Sequence, residues 1–350
     1  MKSPSLTVKA RPLAGVGLAS SLLRRTVLNQ LEHLRHGLLR VQDGDVCRLF
    51  GDLASPLKAD IHVTDSAAWG LIAARGSIGA GEAYIHGYWH SPDLTAVIRL
   101  FVANLDVLDN IERGSLALFG QPVIKALHWL NRNTRSGSQR NIAAHYDLGN
   151  ELFEQFLDPT MMYSAAMFTS AEQDLEQAQL HKLERICEKL DLQPDDHLLE
   201  IGTGWGSMAL YAATHYGCRV TTTTLSREQF VYTQRRIEEQ GLQDRITLLL
   251  KDYRDLDGQF DKLVSIEMIE AVGPQFLDSY LSQISHLLKP DGLALIQAIN
   301  MPEQRYHRAL KNVDFIQRYI FPGSFIPSFG AILGSINRGS NLVLTHAEDF

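Results

Sequence analysis

The sequence lacks an apolar run long enough to cross a bilayer, and it contains few cysteines. Its longest apolar stretches are interrupted well short of the roughly 20 residues that a spanning helix needs, so no transmembrane helix is predicted. Only Cys47, Cys187 and Cys218 are present, an odd number at wide spacing. This pattern disfavours both a disulfide framework and a metal site, and it fits a reducing cytoplasm. The mildly apolar stretch 13–23 is too short and too rich in Gly and Ser for a secretion signal.

Carboxylates are scarce in the first half of the chain. Residues 1–150 contain 16 Lys and Arg against 12 Asp and Glu, whereas the remainder contains 17 against 28, and the net charge is −7. Basic surface is typical of proteins that bind nucleic acid or an anionic membrane, but a difference this small also occurs where it serves solubility alone. Composition leaves these alternatives open.

The length of 350 residues favours two domains, and the pattern divides the chain into four regions. Residues 1–20, rich in small residues, Pro and Ser, are predicted to be a mobile tail. Residues 21–112 are predicted to form a small α+β domain. It has a helix over Leu22–Arg40, strands at Cys47–Phe50 and Ile61–Thr64, and a helix near Leu94–Leu108.

Residues 113–140 are predicted to be a basic linker, because residues 114–140 carry four Lys and Arg and no carboxylate. Pro122 stands where a helix with one apolar face would begin. That face fits either a membrane interface or packing on the protein's own core.

Residues 141–350 show helices and strands in alternation, which indicates an α/β fold with a doubly wound parallel sheet. In such sheets ligands bind beyond the carboxyl ends of the strands. The predicted strands are His197–Ile201, Arg219–Thr224, Arg245–Leu250, Lys262–Ile266 and Gly292–Ile299, and the predicted helices are Ala171–Leu190, Ser207–His215, Ser226–Gln240 and Pro274–Leu288.

A glycine-rich turn follows the first of these strands. Glu200 precedes Gly202, Gly204 and Gly206, and the third glycine comes one residue too early for a dinucleotide site. The pattern suits a nucleoside with a methionine tail, which has no pyrophosphate to bind. Asp252, just after the third strand, is placed to accept a hydrogen bond from an adenine amino group, while the second strand ends in threonines and lacks the acid expected for ribose.

These features together resemble the cyclopropane fatty acyl phospholipid synthase family, which includes the mycolic acid cyclopropane synthases. The resemblance covers nearly all of residues 140–330, and residues 81–89 also resemble the N-terminal domain of the members that act on bacterial phospholipids. It implies a class I S-adenosylmethionine methyltransferase fold, Rossmann-like, preceded by a small α+β domain associated with lipid or membrane. The matching segments are Asn141–Asn150, Met162–Ser164, Leu199–Gly206, Thr224–Ser226 with Gln229, Glu267–Gly273 and Tyr319–Gly323 with Pro327 and Ser328.

The resemblance also implies roles for individual residues. Tyr146 falls where the family puts an aromatic ring near the transferring methyl, which suits a cation–π contact with a sulfonium. The positions that hold S-adenosylmethionine are Tyr163, Ser164, Glu200, Gly202, Gly204, Gly206, Thr224, Leu225, Gln229, Asp252 and Tyr253.

Methyl transfer to an alkene leaves a carbocation, and a base must remove a proton from the new methyl group to close the ring. In the family a bound bicarbonate serves as that base. Its Glu and Tyr ligands match Glu270 and Tyr319, and its backbone amide donor matches Ile299. Its Cys and His positions are Ala165 and Gln297 here. Glu267 is expected to be a solvated carboxylate on one helical face with Glu270.

The two departures keep several products open. The resemblance implies cyclopropane formation on unsaturated phospholipid acyl chains. The alternatives are methylation without ring closure, giving a methyl-branched or methylene-bearing chain, a lipid-binding relative without catalysis, and a small-molecule methyltransferase. The resemblance further implies a homodimer in the cytoplasm, bound peripherally to the anionic inner face of the membrane, with no nucleic acid partner. Relatives continue past Phe350, so the chain is expected to be truncated.

Overall fold

The structure, a computed structural model, describes residues 17–112, 133–135, 137, 138, 141 and 149–350. Most of the predicted mobile tail, most of the predicted basic linker and Tyr146 lie outside these residues. The chain divides into two compact units, Met1–Ala126 and Leu127–Phe350. Among the described residues, no helix combines the length and the apolar character that crossing a bilayer requires.

The first unit is a four-stranded sheet packed with helices. Its strand order is β2-β1-β3-β4, with β1 antiparallel to β2, parallel to β3, and β3 antiparallel to β4. The elements are α1 Gly17–Leu31, β1 Leu38–Asp43, β2 Val46–Gly51, β3 Lys58–Val63, α2 Ala67–Ile85, β4 Trp89–His90, α3 Leu94–Ala103 and α4 Leu105–Glu112. Prediction and structure therefore agree on the strands near Cys47 and Ile61.

The helix predicted over Leu22–Arg40 is wrong at both ends, because α1 begins at Gly17, inside the predicted mobile tail 1–20, and ends well before Arg40. The structure ends α1 at Leu31, and residues 38–40 begin β1 instead. Gly37, at φ +94°, breaks the helical spacing, and beyond it Leu39 and Val41 are buried while Arg40 is exposed. That alternation is the period of a strand, so the leucine spacing before Gly37 does not extend past it.

Asn104 separates the two helices α3 and α4, which the sequence predicted as one. Its buried side chain accepts hydrogen bonds from the backbone N–H of Arg35 (2.9 Å) and His36 (3.1 Å). Its amide donates to the carbonyls of His36 (2.7 Å) and Leu100 (2.8 Å). One side chain thus provides hydrogen-bond partners for backbone groups in the turn that leads into β1 and in the last turn of α3.

The second unit contains a five-stranded parallel sheet with the order β7-β6-β5-β8-β9. Its strands are β5 His197–Ile201, β6 Arg219–Thr224, β7 Ile246–Leu250, β8 Phe260–Ile266 and β9 Leu288–Gln297. Strands and helices alternate along the chain from Leu175 to the end of β9, so the predicted doubly wound α/β fold is confirmed. The order reverses at β5, which places a crevice beyond the carboxyl ends of β5 and its neighbours.

Helices cover both faces of this sheet, and a separate hydrophobic core lies under each layer. The helices are α5 Asn150–Phe153, α6 Leu175–Lys189, α7 Ser207–His215, α8 Arg227–Glu239, α9 Leu277–Leu287, α10 Glu303–Ala309, α11 Phe315–Tyr319 and α12 Phe329–Gly339. Asp174 and Ser226 cap α6 and α8 by accepting hydrogen bonds from the backbone N–H groups of Gln177 and Gln229. Single turns of 3₁₀ helix follow β7 and β8 at Tyr253–Asp255 and Ile269–Ala271.

Replacing Asn104 tests the packing of the first unit. Asn104→Ala leaves two backbone N–H groups without their acceptor, so we expect the free energy of unfolding to fall by roughly 2–4 kcal/mol. Asn29→Ala, at an exposed position of α1, is the matched control and should change it by less than about 0.5 kcal/mol. Denaturant titration followed by circular dichroism measures both, and equal effects of the two substitutions would contradict this account of Asn104.

Candidate active site

The glycine turn after β5 adopts a conformation that side chains disfavour. Gly202, Gly204 and Gly206 have φ angles of +103°, +54° and +91°, and the Gly202 N–H donates to the carbonyl of Thr223 (3.1 Å). A Cβ at Gly206 would stand 2.7 Å from the methyl carbon of Thr233, whereas a Cβ at Gly204 would meet nothing within 4 Å. Gly206 therefore allows close packing against α8, while Gly204 lines open space.

Glu200 lies in the interior of the sheet, two residues before the first glycine of the turn. Thr222 on β6 donates its hydroxyl to a Glu200 carboxylate oxygen at 2.6 Å, and the hydroxyls of Thr222 and Thr203 lie 2.7 Å apart. Burial raises the pKa of Glu200 to about 8, and the hydrogen bond from Thr222 offsets only part of that effect.

The structure places the predicted residues at the ends of β6 and β7, with Thr224 as the last residue of β6 and Asp252 two residues after the end of β7. The Thr224 hydroxyl donates to the side-chain oxygen of Gln229 at 2.8 Å, and Leu225 lies in the turn between them. Asp252 accepts hydrogen bonds from the Arg254 side chain at 2.8 and 2.7 Å. Burial alone would raise the pKa of Asp252, but the hydrogen bonds and charge of Arg254 lower it below its usual range. A nucleobase at Asp252 would have to share this carboxylate with Arg254.

Tyr253, the residue after Asp252, packs its ring edge-on against Tyr280 with the ring centroids 5.4 Å apart. Burial raises the pKa of Tyr253 to about 12, so its hydroxyl stays protonated and keeps a hydrogen to donate at neutral pH. Tyr253 and Asp252 follow β7, two strands away from the glycine turn in the sheet order.

Tyr163 belongs to an aromatic cluster that reaches the glycine turn. Its ring contacts Phe153 and Trp205, with ring centroids 5.4 and 6.3 Å apart, and lies nearly parallel to Phe321 at 6.3 Å. Trp205, the residue between the last two glycines, is buried in the same cluster and donates its indole N–H to Asn150 at 2.8 Å. The predicted cofactor residues at 163 and 202–206 are thus brought together through aromatic packing.

A buried lysine holds the backbone next to Tyr163. The Lys182 ammonium on α6 donates to the Ser164 hydroxyl at 2.6 Å and to the Ala165 carbonyl at 2.9 Å, and its side chain is completely buried. Burial lowers the pKa of Lys182 to about 8, although the nearby charge of Glu267 acts in the opposite direction. The sequence analysis did not identify Lys182.

Glu267 is not the solvated helical carboxylate that was expected. Strand β8 ends at Ile266, and Glu267 follows it at a φ angle of +48° instead of standing on a helix with Glu270. Its carboxylate accepts hydrogen bonds from the Ala165 backbone N–H at 2.9 Å and from the Gln297 side chain at 2.8 Å. The residues at the family's Cys and His positions therefore both contact Glu267.

Glu270 points to the end of β9. One of its carboxylate oxygens, Oε1, accepts the backbone N–H of Ile299 at 2.6 Å, while the other, Oε2, is buried without a hydrogen-bond partner in the described part of the chain. Burial raises the pKa of Glu270 to about 7, the hydrogen bond from Ile299 lowers it, and the charge of Glu267 raises it further.

Of the five predicted catalytic residues, three take part in hydrogen bonds to the carboxylates of Glu270 and Glu267, and a fourth, Tyr319, is partly exposed. Glu270 pairs with Ile299, and Gln297 pairs with Glu267. Tyr319 ends α11 with 43% of its surface exposed and packs against Phe315 at a ring distance of 5.0 Å. Tyr146, the fifth, lies outside the described residues.

A family model described as mycolic acid cyclopropane synthetase matches residues 133–350. The chain is 37% identical over 352 residues to tuberculostearic acid methyltransferase UfaA1 of Mycobacterium tuberculosis, covering 95% of this chain and 77% of that protein. It is 38% identical over 284 residues to cyclopropane-fatty-acyl-phospholipid synthase of Escherichia coli, covering 79% and 69%.

Solved structures agree with these matches. The cyclopropane synthase MmaA2 of Mycobacterium tuberculosis superposes with a TM-score of 0.55 at 29% identity, over 59% of this chain and 76% of that one. The mycolic acid cyclopropane synthase CmaA1, solved in complex with SAH and CTAB, also superposes with a TM-score of 0.55, at 31% identity and with the same coverage.

The buried carboxyl of Glu200 predicts a pH-dependent stability. Because its pKa in the fold lies above the ordinary 4.5, the stability associated with it is retained below pH 4.5 and lost as the pH rises to about 8. Glu200→Gln removes this loss. The variant should match the original chain near pH 5 and exceed its free energy of unfolding by on the order of 3 kcal/mol at pH 8.5.

Urea titrations between pH 5 and pH 8.5 measure the difference. Glu239→Gln is the matched control, since Glu239 is exposed and forms only a surface ion pair with Arg235. A Glu200→Gln effect that is constant across the pH range would contradict the assignment of a raised pKa to Glu200.

Proposed function

Because the chain belongs to the mycolic acid cyclopropane synthetase family, we propose that it transfers the methyl group of S-adenosylmethionine to a cis double bond of a phospholipid acyl chain and closes a cyclopropane ring. The chain is an S-adenosylmethionine-dependent methyltransferase of this family. The observation that carries the proposal is that the two turns bearing the glycines and Glu270 follow neighbouring strands. β5 and β8 are neighbours, so the open glycine turn after β5 and the turn after β8 that carries Glu270 leave the sheet side by side, and a Cβ at Gly202 would stand 3.2 Å from the Met268 side chain.

The glycine turn fits a donor with a nucleoside and a methionine tail. Open space at Gly204 leaves room for a ligand, and the left-handed glycines let the backbone approach it closely. We propose that the donor is held by the residues to which the resemblance assigns this role. They are Tyr163, Ser164, Glu200, Gly202, Gly204, Gly206, Thr224, Leu225, Gln229, Asp252 and Tyr253.

When bound, the donor supplies an electrophilic methyl group on a sulfonium. The protein's part is to position the alkene and to keep water away from the cation that forms on the acyl chain. The aromatic cluster of Phe153, Tyr163 and Phe321 next to the turn supplies apolar surface for this purpose. Lys182 binds the Ser164 hydroxyl and the Ala165 carbonyl, Glu267 binds the Ala165 N–H, and both so act as positioning residues.

Methylation without ring closure is the second candidate. Ala165 and Gln297 stand where the resemblance implies ligands for a basic anion, and a relative that covers 95% of this chain is named a tuberculostearic acid methyltransferase. Without a base positioned for ring closure, a hydride shift would move the cation to the methylated carbon, and loss of a proton from the methyl group would leave a methylene group on the acyl chain. A saturated methyl branch would require a reductant in addition. The product therefore distinguishes the two candidates.

We further propose that residues 21–112 form a domain that binds the membrane surface peripherally. The outer face of α3 supports this, because its exposed apolar side chains follow one another at helical spacing. They are Leu94, Ile98 and Val102, followed by Leu105 at the start of α4. Ile98 and Val102 are 57% and 59% exposed. The basic excess of residues 1–150 lies outside this domain, in residues 1–20 and 113–150, since residues 21–112 contain 8 Lys and Arg against 11 Asp and Glu.

Substitutions at two glycines test the donor site. Gly204→Gln would fill the open space beside the turn, so we expect calorimetry to show at least about 30-fold weaker binding of S-adenosylmethionine, or about 2 kcal/mol. Gly241→Gln is the matched control, since Gly241 also has a left-handed φ (+67°) and open space but lies in the turn after α8. Equal affinity in both variants would place the donor elsewhere.

Mass spectrometry of fatty acids tests the reaction itself. Cells that express the chain should accumulate acyl chains heavier by one CH₂ than their unsaturated precursors. A saturated methyl branch is heavier by two further hydrogens, whereas a methylene-bearing chain has the same mass as the ring and is distinguished by its uptake of hydrogen on mild catalytic hydrogenation. Labelled methyl from S-adenosylmethionine should appear in the product. Unlabelled phospholipid in the presence of bound donor would contradict the proposed function.

Vesicle binding tests the membrane surface. The double variant Ile98→Asn with Val102→Asn should lose most co-sedimentation with vesicles of anionic phospholipid, because it removes apolar area that enters the interface. Val231→Asn, at a Val that is 56% exposed on α8, is the control and should bind normally. Binding of the original chain should also weaken as salt rises. Undiminished binding of the double variant would exclude the α3 face.

A further inference from the structure

The donors that a small anion would need near Glu270 are already used within the chain. The Ile299 N–H donates to Glu270 at 2.6 Å. The Gln297 amide donates to Glu267 at 2.8 Å and faces the Ala165 carbonyl at 3.4 Å. The Ala165 N–H also donates to Glu267, at 2.9 Å. Three positions that the resemblance assigns to bicarbonate thus bind protein carboxylates.

A bicarbonate ion does not fit this arrangement. It would have to displace Glu270 from Ile299 or Glu267 from Gln297, and it would then lie between two carboxyl groups that already interact electrostatically. Ala165 offers only a methyl group where the family has a thiol. We therefore derive no step through bicarbonate in this chain.

We infer that the Glu270 carboxylate itself accepts the proton released in ring closure. The inference rests on the proposed function and replaces its external base with a residue of the chain. The acceptor atom is Oε2, which is buried without a partner in the described part of the chain, while Oε1 is fixed by Ile299. In the described part of the chain no donor competes with a proton for Oε2, so proton transfer to this atom breaks no hydrogen bond.

The backbone around Glu270 fixes this carboxylate in place. Glu270 lies in the 3₁₀ turn Ile269–Ala271, between the buried side chains of Ile269 and Val272. Its carbonyl accepts the N–H of Phe325 at 3.0 Å, which ties the turn to the segment before α12. A base must be held within reach of the proton that it takes, and this turn provides that rigidity.

The ionisation of Glu270 suits the role. Burial raises its pKa to about 7, and of the titratable groups in the described residues Glu267 and Tyr280 face it electrostatically. Near neutral pH such a carboxyl is partly ionised and is a stronger base than a carboxylate in water. Activity limited by this group should rise with pH up to about 7 and level off above it.

The step balances without a further reactant. After methyl transfer, the acyl chain carries a cation on the carbon next to the methylated one. A C–H bond of the new methyl group breaks, and its electron pair forms the C–C bond that closes the ring. The proton passes to Glu270 Oε2, which becomes a carboxylic acid and later returns the proton to solvent. No oxidant or reductant is needed.

The test compares variants of the 350-residue chain on vesicles of unsaturated phospholipid, with and without bicarbonate. Two quantities are followed: S-adenosylhomocysteine, which reports methyl transfer, and cyclopropane fatty acid, which reports ring closure. The original chain should form ring at the same rate, within about twofold, in CO₂-free buffer and in buffer with added bicarbonate. Glu270→Gln should lose about 100-fold or more of its ring formation, with no rescue by bicarbonate. Glu239→Gln is the matched control and should keep full activity.

The outcomes separate the inference from the function on which it rests. Ring formation that falls in CO₂-free buffer and returns with bicarbonate would overturn the role of Glu270 and leave the methyl transfer intact. No S-adenosylhomocysteine from the original chain under either condition would overturn the proposed function and the inference together. Donor binding and thermal melting of Glu270→Gln establish that it is folded. Glu270→Asp should form the ring more slowly than the original chain, with a rate of ring formation that still increases with pH.

Discussion

The site in the second unit depends on two carboxyl groups that are buried near the carboxyl ends of the parallel strands. Glu200 is buried inside the sheet, and Glu270 is held against the end of β9. A buried carboxyl requires donors, and each of these is placed by a different strand: Thr222 by β6 for Glu200 and Ile299 beyond β9 for Glu270. The register of the sheet therefore fixes the chemistry of the site, because a shift of one residue would separate each carboxyl from its donor.

The sequence predicts most of the elements that carry the site. The strands at His197 and Arg219 and the helix at Ser207 match the structure at both ends, since strong periodicity and glycine or capping residues bound them. The leucine spacing around Gly37 misled the prediction. The leucines of the helix and those of the following strand together show intervals of three and four residues, which is the spacing of a single helix. The helix already ends at Leu31, six residues before Gly37, and no glycine or proline between them marks that end in the sequence.

Side-chain partners were harder to predict than elements. Gln179 and Lys182 fall on the buried face of α6 with Ala178 and Leu183, so two polar residues at core positions were a signal available from periodicity alone. The contact of Glu267 with Gln297 and Ala165 had no such signal, because it depends on a left-handed residue directly after a strand. The resemblance identified Ala165 and Gln297 as altered positions, and the structure shows that both donate hydrogen bonds to the carboxylate of Glu267.

The indole of Trp205 lies in the glycine turn and in the aromatic cluster at once. Its burial among Phe153, Tyr163 and Met161 makes its emission sensitive to any rearrangement of that cluster. Tyr163, 6.3 Å away, is close enough to pass excitation to it. Ligand entry at the turn would thus alter an intrinsic optical signal of the chain, and its kinetics could be followed without a label attached to the protein or the lipid.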